Sequence, residues 1–301
     1  MAASSLSDDR ICYEACQRRS ALDMKENHVA IHCGDLTTES KLDEFESAIR
    51  LLERIDALLK LTIAGNHNFA LYTPMFKNKV VEAHEPLDSE LVRRVYGDYE
   101  ETRSMFDNSG VILLDEGTHH FNLQNGASLT VYTSPYTPSF GDWGFQYHPE
   151  QGHEFAISSN VDVAITHGPP NGIMDYANGQ RAGSSDLFEA VARARPCMHC
   201  FGHIHEGWGA KLAAWRKMVG EKPSYMTDID NENSTVVGRL ADIVQENVHR
   251  TSYQTSHCSN DSHPIQYSAH TLFVNSAIEG STDEYSVQPP WLIDLELPRA
   301  G

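Results

Sequence analysis

VAIHCGDLTTESKLDEFESAIRLLERIDALLKLTIAGNHN, residues 29–68, holds two short apolar runs separated by an amphipathic segment. Val29-Ala30-Ile31 is brief enough to be a buried strand, and it runs into the turn residues Cys33-Gly34-Asp35. Leu42, Phe45, Ile49, Leu52, Ile55 and Leu59 then recur at spacings of three and four, which places them on one face of a helix. Ser40 and Asp43 fit the capping-box pattern that opens such a helix. Leu61-Thr62-Ile63-Ala64 is the next strand, broken by Gly65-Asn66-His67-Asn68. A strand, a crossover helix and a second strand in so few residues imply a parallel sheet and the α/β class.

Outward from this unit, Val111–Leu114 reads as a strand. Asn125-Gly126, between two apolar segments, is a two-residue hairpin signal. Val161–Thr166 is a further strand ending at His167-Gly168-Pro169-Pro170. A helix begins at Ser184-Ser185-Asp186, residues 198–204 read as extended, and 271–275 and 291–295 as the last strands. Between 221 and 263 the chain is polar and lacks a sustained period. That stretch is expected to be an irregular insertion loop, with a short helix over 239–248.

Length and charge narrow the function. The 301 residues fit one large domain, expected here over 1–301 with an atypical segment 1–27. A net charge of −19 argues against nucleic-acid polymers and anionic membranes as partners, because both demand a positive surface. An acidic chain that handles phosphate needs metal ions to invert the local field, and 16 histidines supply candidate ligands. No apolar run approaches the ~18 residues of a membrane helix, and the N-terminus has no apolar signal region. Six cysteines in a chain this long do not form a disulfide scaffold, so a cytoplasmic setting is expected. Nothing in the sequence sets an oligomeric state.

Four clusters share one pattern, a strand end followed by a glycine beside metal-type ligands: Gly34-Asp35, Gly65-Asn66-His67, His167-Gly168 and Gly202-His203-Ile204-His205. Ligands gather at the carboxyl ends of strands in open α/β sheets, so all four clusters are expected to converge. Asp, Asn and imidazole suit Zn, Mn or Fe. An extended His203-x-His205 would turn both rings to one face, toward two neighbouring ions.

The motifs HCGDLT (32–37), GNHN (65–68), THGPPNGIMD (166–175) and FGHIHEGWG (201–209) together resemble the calcineurin-like metallophosphoesterases. The resemblance is closest to the small branch of metallophosphoesterase-domain-containing proteins, and SPYTPSFGDWGF (134–145) and LFVNSA (272–277) extend it. It implies a two-sheet β-sandwich flanked by helices and one or two divalent ions per chain (Mn, Fe or Zn). It also implies hydrolysis of a phosphoester in a small, nucleotide-like substrate. Asp35 would bridge two ions, Asn66, His167 and His203 would complete one site, and His205 would belong to the other. His67 would donate a proton or hydrogen bond to the leaving oxygen. Two ions ~3.5–4 Å apart would clamp the phosphoryl group and bring a bound water toward a pKa of ~7.

Two departures stand out. The family opens with a strand ending in Asp-x-His, whereas here Asp8 is in register and Arg10 stands where the histidine belongs; an arginine cannot ligate. Residues 1–5 are also too short and polar to be the expected strand. Either the first strand is missing from the sequence or the first metal site is lost. In the second case Asp8 still ligates and Arg10 grips a substrate oxyanion. Asn68 stands where the family has an aspartate that steadies the His67 ring; its amide oxygen is expected to orient the ring in that catalytic pair but carries no charge, so His67 is expected to be a weaker acid.

Both departures keep two other readings open. One is a repurposed metal-dependent enzyme of small-molecule metabolism that polarises a carbonyl or carboxylate. The other is a non-catalytic binding protein with a decayed metal site. Trp208, like Trp143, is placed beside the site as an aromatic wall for a planar ligand or as packing under a loop. Cys197-x2-Cys200 with His203 and His205 could form a structural zinc site, with buried strand thiols as the simpler reading.

Overall fold

The computed structural model describes residues 12–16, 28–83, 87–242, 252–282 and 285–299. In chain order the elements are β1 (Cys12–Cys16), β2 (His28–His32), α1 (Leu42–Glu53), β3 (Leu59–Thr62), α2 (Thr73–Glu82), α3 (Ser89–Tyr96), α4 (Glu101–Asp107), β4 (Ile112–Leu113), β5 (Gly117–Asn122) and β6 (Ser128–Ser134). There follow the short β7 (Thr137–Pro138) and β8 (Gln146–Tyr147), β9 (Val163–Thr166), the short β10 (Tyr176–Ala177) and β11 (Gln180–Arg181), α5 (Ser185–Ala194), β12 (Met198–Phe201) and β13 (Gly209–Trp215). The chain closes with β14 (Ile229–Arg239), β15 (Tyr253–Ser256), β16 (His270–Asn275), β17 (Glu279–Thr282), β18 (Tyr285–Val287) and β19 (Trp291–Leu295).

Two mixed sheets form the α/β sandwich that the resemblance implies. One runs β15-β19-β1-β2-β3-β4 and the other β14-β13-β16-β12-β9-β6-β5. Between them lies an apolar core in which Ile31, Leu61 and Ile293 of the first sheet meet Val131, Ile165 and Val274 of the second. Helix α1 buries Phe45, Ile49 and Leu52 against the outer side of the first sheet, as its spacing predicts. Helix α5 covers the second sheet with Leu187, Phe188 and Val191, beside Phe201 and Phe273. Strands β2 and β3 pair in parallel, as do β9, β12 and β16, so their carboxyl ends open toward one edge of the sandwich. Among the described residues no helix is long and apolar enough to cross a membrane.

Several local expectations change. The capping residues of α1 shift by one: the Glu44 carboxylate accepts the amides of Glu39 and Lys41, while Ser40 uses its hydroxyl to accept the Ala70 amide from a remote loop. The 221–263 stretch is not an irregular insertion. It supplies β14 and β15, the edge strands of the two sheets. An edge strand with a solvated side has no reason to show apolar alternation, which is why residues 230–234 read as loop. The short helix expected over 239–248 lies largely outside the described residues. Strand β1 lies between β19 and β2, parallel to the first and antiparallel to the second. Asp8 and Arg10 lie outside the described residues.

Cys197 and Cys200 do not join the two histidines in a zinc site. They are buried at β12, and burial pushes the Cys197 thiol up to about 12.

His199, wholly buried in β12, has its Nε2 2.8 Å from Thr166 Oγ1, which itself donates to the Gly168 carbonyl. Burial pushes its pKa from 6.5 down to about 3. Between those values the unfolded chain binds a proton that the folded one refuses, so stability rises with pH across the window. Denaturant midpoints should fall as the pH drops below about 6.5 toward 3, and His199→Leu should flatten that slope. An unchanged slope in the variant would assign the acid sensitivity elsewhere.

Candidate metal centre

Asp35 follows β2, Asn66 follows β3, His167 follows β9 and His203 follows β12, so both sheets deliver residues to one point. Asp35 Oδ2 lies 3.2 Å from His167 Nε2, and Asn66 Oδ1 lies 2.9 Å from the same nitrogen. The rings of His167 and His203 are 4.8 Å apart. Donor atoms of Asp35, His167 and His203 all fall within 4.8 Å of one another, the sole such group of three among the described residues.

The direction of each lone pair fits a cation. His167 Nδ1 is 2.8 Å from the Cys33 carbonyl, which can only accept, so the proton sits on Nδ1. The bare Nε2 lone pair then faces a carboxylate oxygen and an amide oxygen. Three electron-rich atoms converging in a buried place repel one another unless a cation lies between them. The Nδ1–carbonyl bond is also the outer-shell contact that fixes the tautomer of a ligating imidazole. Burial holds His203 down to about 3, so its ring stays neutral and able to ligate at ordinary pH. Asp35 is steadied in turn by the His67 amide, which donates to its Oδ1 at 2.9 Å.

The backbone is bent to this purpose. Asp35 and His203 have φ of 57° and 65°, the left-handed region that side chains rarely adopt. Such strain costs on the order of 1–3 kcal/mol per residue and collects at functional sites. His203 is therefore not in the extended conformation expected of His203-x-His205, and His205 opens a 3-10 turn (His205–Gly207) instead.

His67 stands beside the group. Its Nδ1 donates to the Thr38 carbonyl at 2.7 Å, and its ring lies 4.6 Å from that of Trp143. Asn68 does not orient that ring, contrary to expectation. Its wholly buried amide needs partners of its own. Oδ1 accepts the amides of Gly65 and Leu36, and Nδ2 donates to Thr37 Oγ1. Asn68 thus ties the Asp35 loop to the His67 loop.

Trp208 is likewise no substrate wall. It is 2% exposed, stacks on Trp291 at 4.8 Å, and donates its indole N–H to the Pro289 carbonyl. Asn275, Thr38 and Gln288 are site residues that sequence reasoning passed over or left in the background. Asn275 Nδ2 donates to the Ile204 carbonyl at 2.9 Å. Gln288 Nε2 donates to the His205 carbonyl at 3.2 Å.

The sequence profile of the calcineurin-like phosphoesterases matches residues 13–207. Curated relatives include the probable rhamnogalacturonate lyase C of Emericella nidulans, 30% identical over 194 residues. The UPF0046 protein T07D4.2 of Caenorhabditis elegans and the human metallophosphoesterase domain-containing protein 1 are 30% identical over 203 and 200 residues. Each match covers 64% of this chain, but 16%, 49% and 58% of the respective relative.

Proposed function

The chain belongs to the calcineurin-like phosphoesterase family, and on that footing we propose that it is a metal-dependent hydrolase of phosphoester bonds in a small, nucleotide-like substrate. What supports the reading most is the His167 Nε2 lone pair, aimed at Asp35 Oδ2 and Asn66 Oδ1 in a buried site. Asp35, Asn66, His167 and His203 would hold the ion, and Mn, Fe or Zn suits that mixture of oxygen and nitrogen. When bound, divalent ions supply Lewis-acid stabilisation of the phosphoryl oxygens and a nucleophilic water near neutral pH.

The residues around the site do the remaining work. The Thr38 carbonyl accepts the Nδ1 proton of His67 and fixes the ring's orientation, so Nε2 is the nitrogen left to serve the leaving oxygen. Trp143 packs on the same ring and limits its rotation. The His67 amide, by holding Asp35 Oδ1, ties the position of the acid to that of the ligand.

Two assays test this reading. A panel of phosphomonoesters and phosphodiesters assayed with Mn²⁺ should reveal turnover. Loss of the His67 imidazole in His67→Ala should lower kcat by ~10²–10⁴ for alkyl leaving groups, and much less for p-nitrophenolate, which departs without a proton. Equal loss on both substrates would remove His67 as the acid. A metal-loaded chain inert toward every phosphoester would shift the reading to Lewis-acid chemistry on a carbonyl or carboxylate.

A further inference from the structure

His205 Nε2 stands 3.5 Å from Glu279 Oε2, and both side chains line the small cavity that Asp35, His167 and His203 also face. Two donors ~2.1 Å from a shared ion and 3.5 Å apart subtend about 113°, close to the tetrahedral angle. Both side chains are about one-third exposed, 29% and 36%, so solvent or substrate oxygens can reach the point between them. A catalytic metal position keeps such an opening.

The carriers of these two residues are fastened to each other. Buried Gln288 donates its side-chain amide to the His205 carbonyl and its backbone N–H, at 2.6 Å, to the Ile278 carbonyl, next to Glu279. Asn275 bonds the Ile204 carbonyl and, through Oδ1, the Ala277 amide. Two buried amides thus tie the His205 turn to the segment that leads into β17. An adventitious surface ion pair, worth little by itself, gives no reason for such support. A ligand pair held for a cation does.

We propose that Glu279, together with His205, ligates a second divalent ion beside the one held by Asp35, His167 and His203. The Glu279 carboxylate thereby fills the role for which the sequence offers no histidine at position 10. The proposal rests on the metal-dependent reading above, and the test separates the two.

Metal-free full-length protein would be titrated with Mn²⁺. Bound ions per chain would be counted by inductively coupled plasma mass spectrometry, and free Mn²⁺ by electron paramagnetic resonance. The wild-type chain should take up two ions. Glu279→Gln should keep one and bind the second at least about tenfold more weakly, since even outer-shell losses cost that much. His203→Ala should lose the other ion. Two ions bound normally by Glu279→Gln would overturn the proposal and leave the metal centre standing. A single wild-type ion, lost in His203→Ala, would do the same. No ion in the wild-type chain would overturn both. Should Glu279→Gln fail to fold by circular dichroism, His205→Gln must show the same selective loss, and retention of two ions there would refute the assignment.

Discussion

Asp35→Asn is expected to remove divalent-ion binding and lower phosphoester turnover by at least about a thousandfold, some 4 kcal/mol of lost stabilisation. The substitution preserves shape. The asparagine Oδ1 can still accept the His67 amide, so the loop keeps its anchor. At the other position an amide N–H₂ replaces the oxygen 3.2 Å from His167 Nε2 and donates to that lone pair. The repulsion that a cation relieves in the wild-type chain would then be relieved by a hydrogen bond. The variant should therefore be as stable as the metal-free wild type, or more so, while losing the rise in Tm that Mn²⁺ produces by binding only the folded state. Calorimetric scans with and without Mn²⁺ decide the matter. A Tm that still climbs with Mn²⁺ in Asp35→Asn would show that the ion sits elsewhere.

Gly65→Ala should do comparable damage without removing any ligand. A Cβ built at this glycine lies 2.5 Å from the Asp35 amide nitrogen and 2.6 Å from the His167 ring. Neither neighbour can yield: the first is backbone, and the ring is bonded to the Cys33 carbonyl. The loops after β2, β3 and β9 must separate, at a cost of ~1–3 kcal/mol in stability and most of the affinity for Mn²⁺. Gly110 is the control, because a Cβ there meets nothing within 4 Å and its φ is ordinary. Gly110→Ala should stay within ~0.5 kcal/mol of the parent in urea denaturation. Equal midpoints for the two variants would mean that the site tolerates expansion.

The parts of this molecule that were legible in its sequence are those decided over short distances. The β2–α1–β3 unit announces itself because burial against one sheet imposes a period of 3.6 between two apolar runs. The glycines beside Asp35 and Asn66 mark where backbones must approach closely, and the clash at Gly65 is the physical content of that signal. What escaped depends on partners remote in the chain. Asn68 looks like a companion to its neighbour His67, yet its three bonds go to Gly65, Leu36 and Thr37. Trp208 sits in a ligand-rich motif, but packing against Trp291, 83 positions later, takes it into the core. Strand β14 hid because a sheet edge can be polar on every exposed side chain and still hydrogen-bond as a strand.

His167 reaches the Cys33 carbonyl across 134 positions of chain, and the two residues belong to different sheets. The two loops are carried by different sheets, so they meet only when the sheets pack face to face. The cavity for a cation is thus absent from the collapsing chain and comes into being only when the two sheets dock. An ion captured there binds only the docked arrangement, so it should act as a latch that opposes the parting of the sheets.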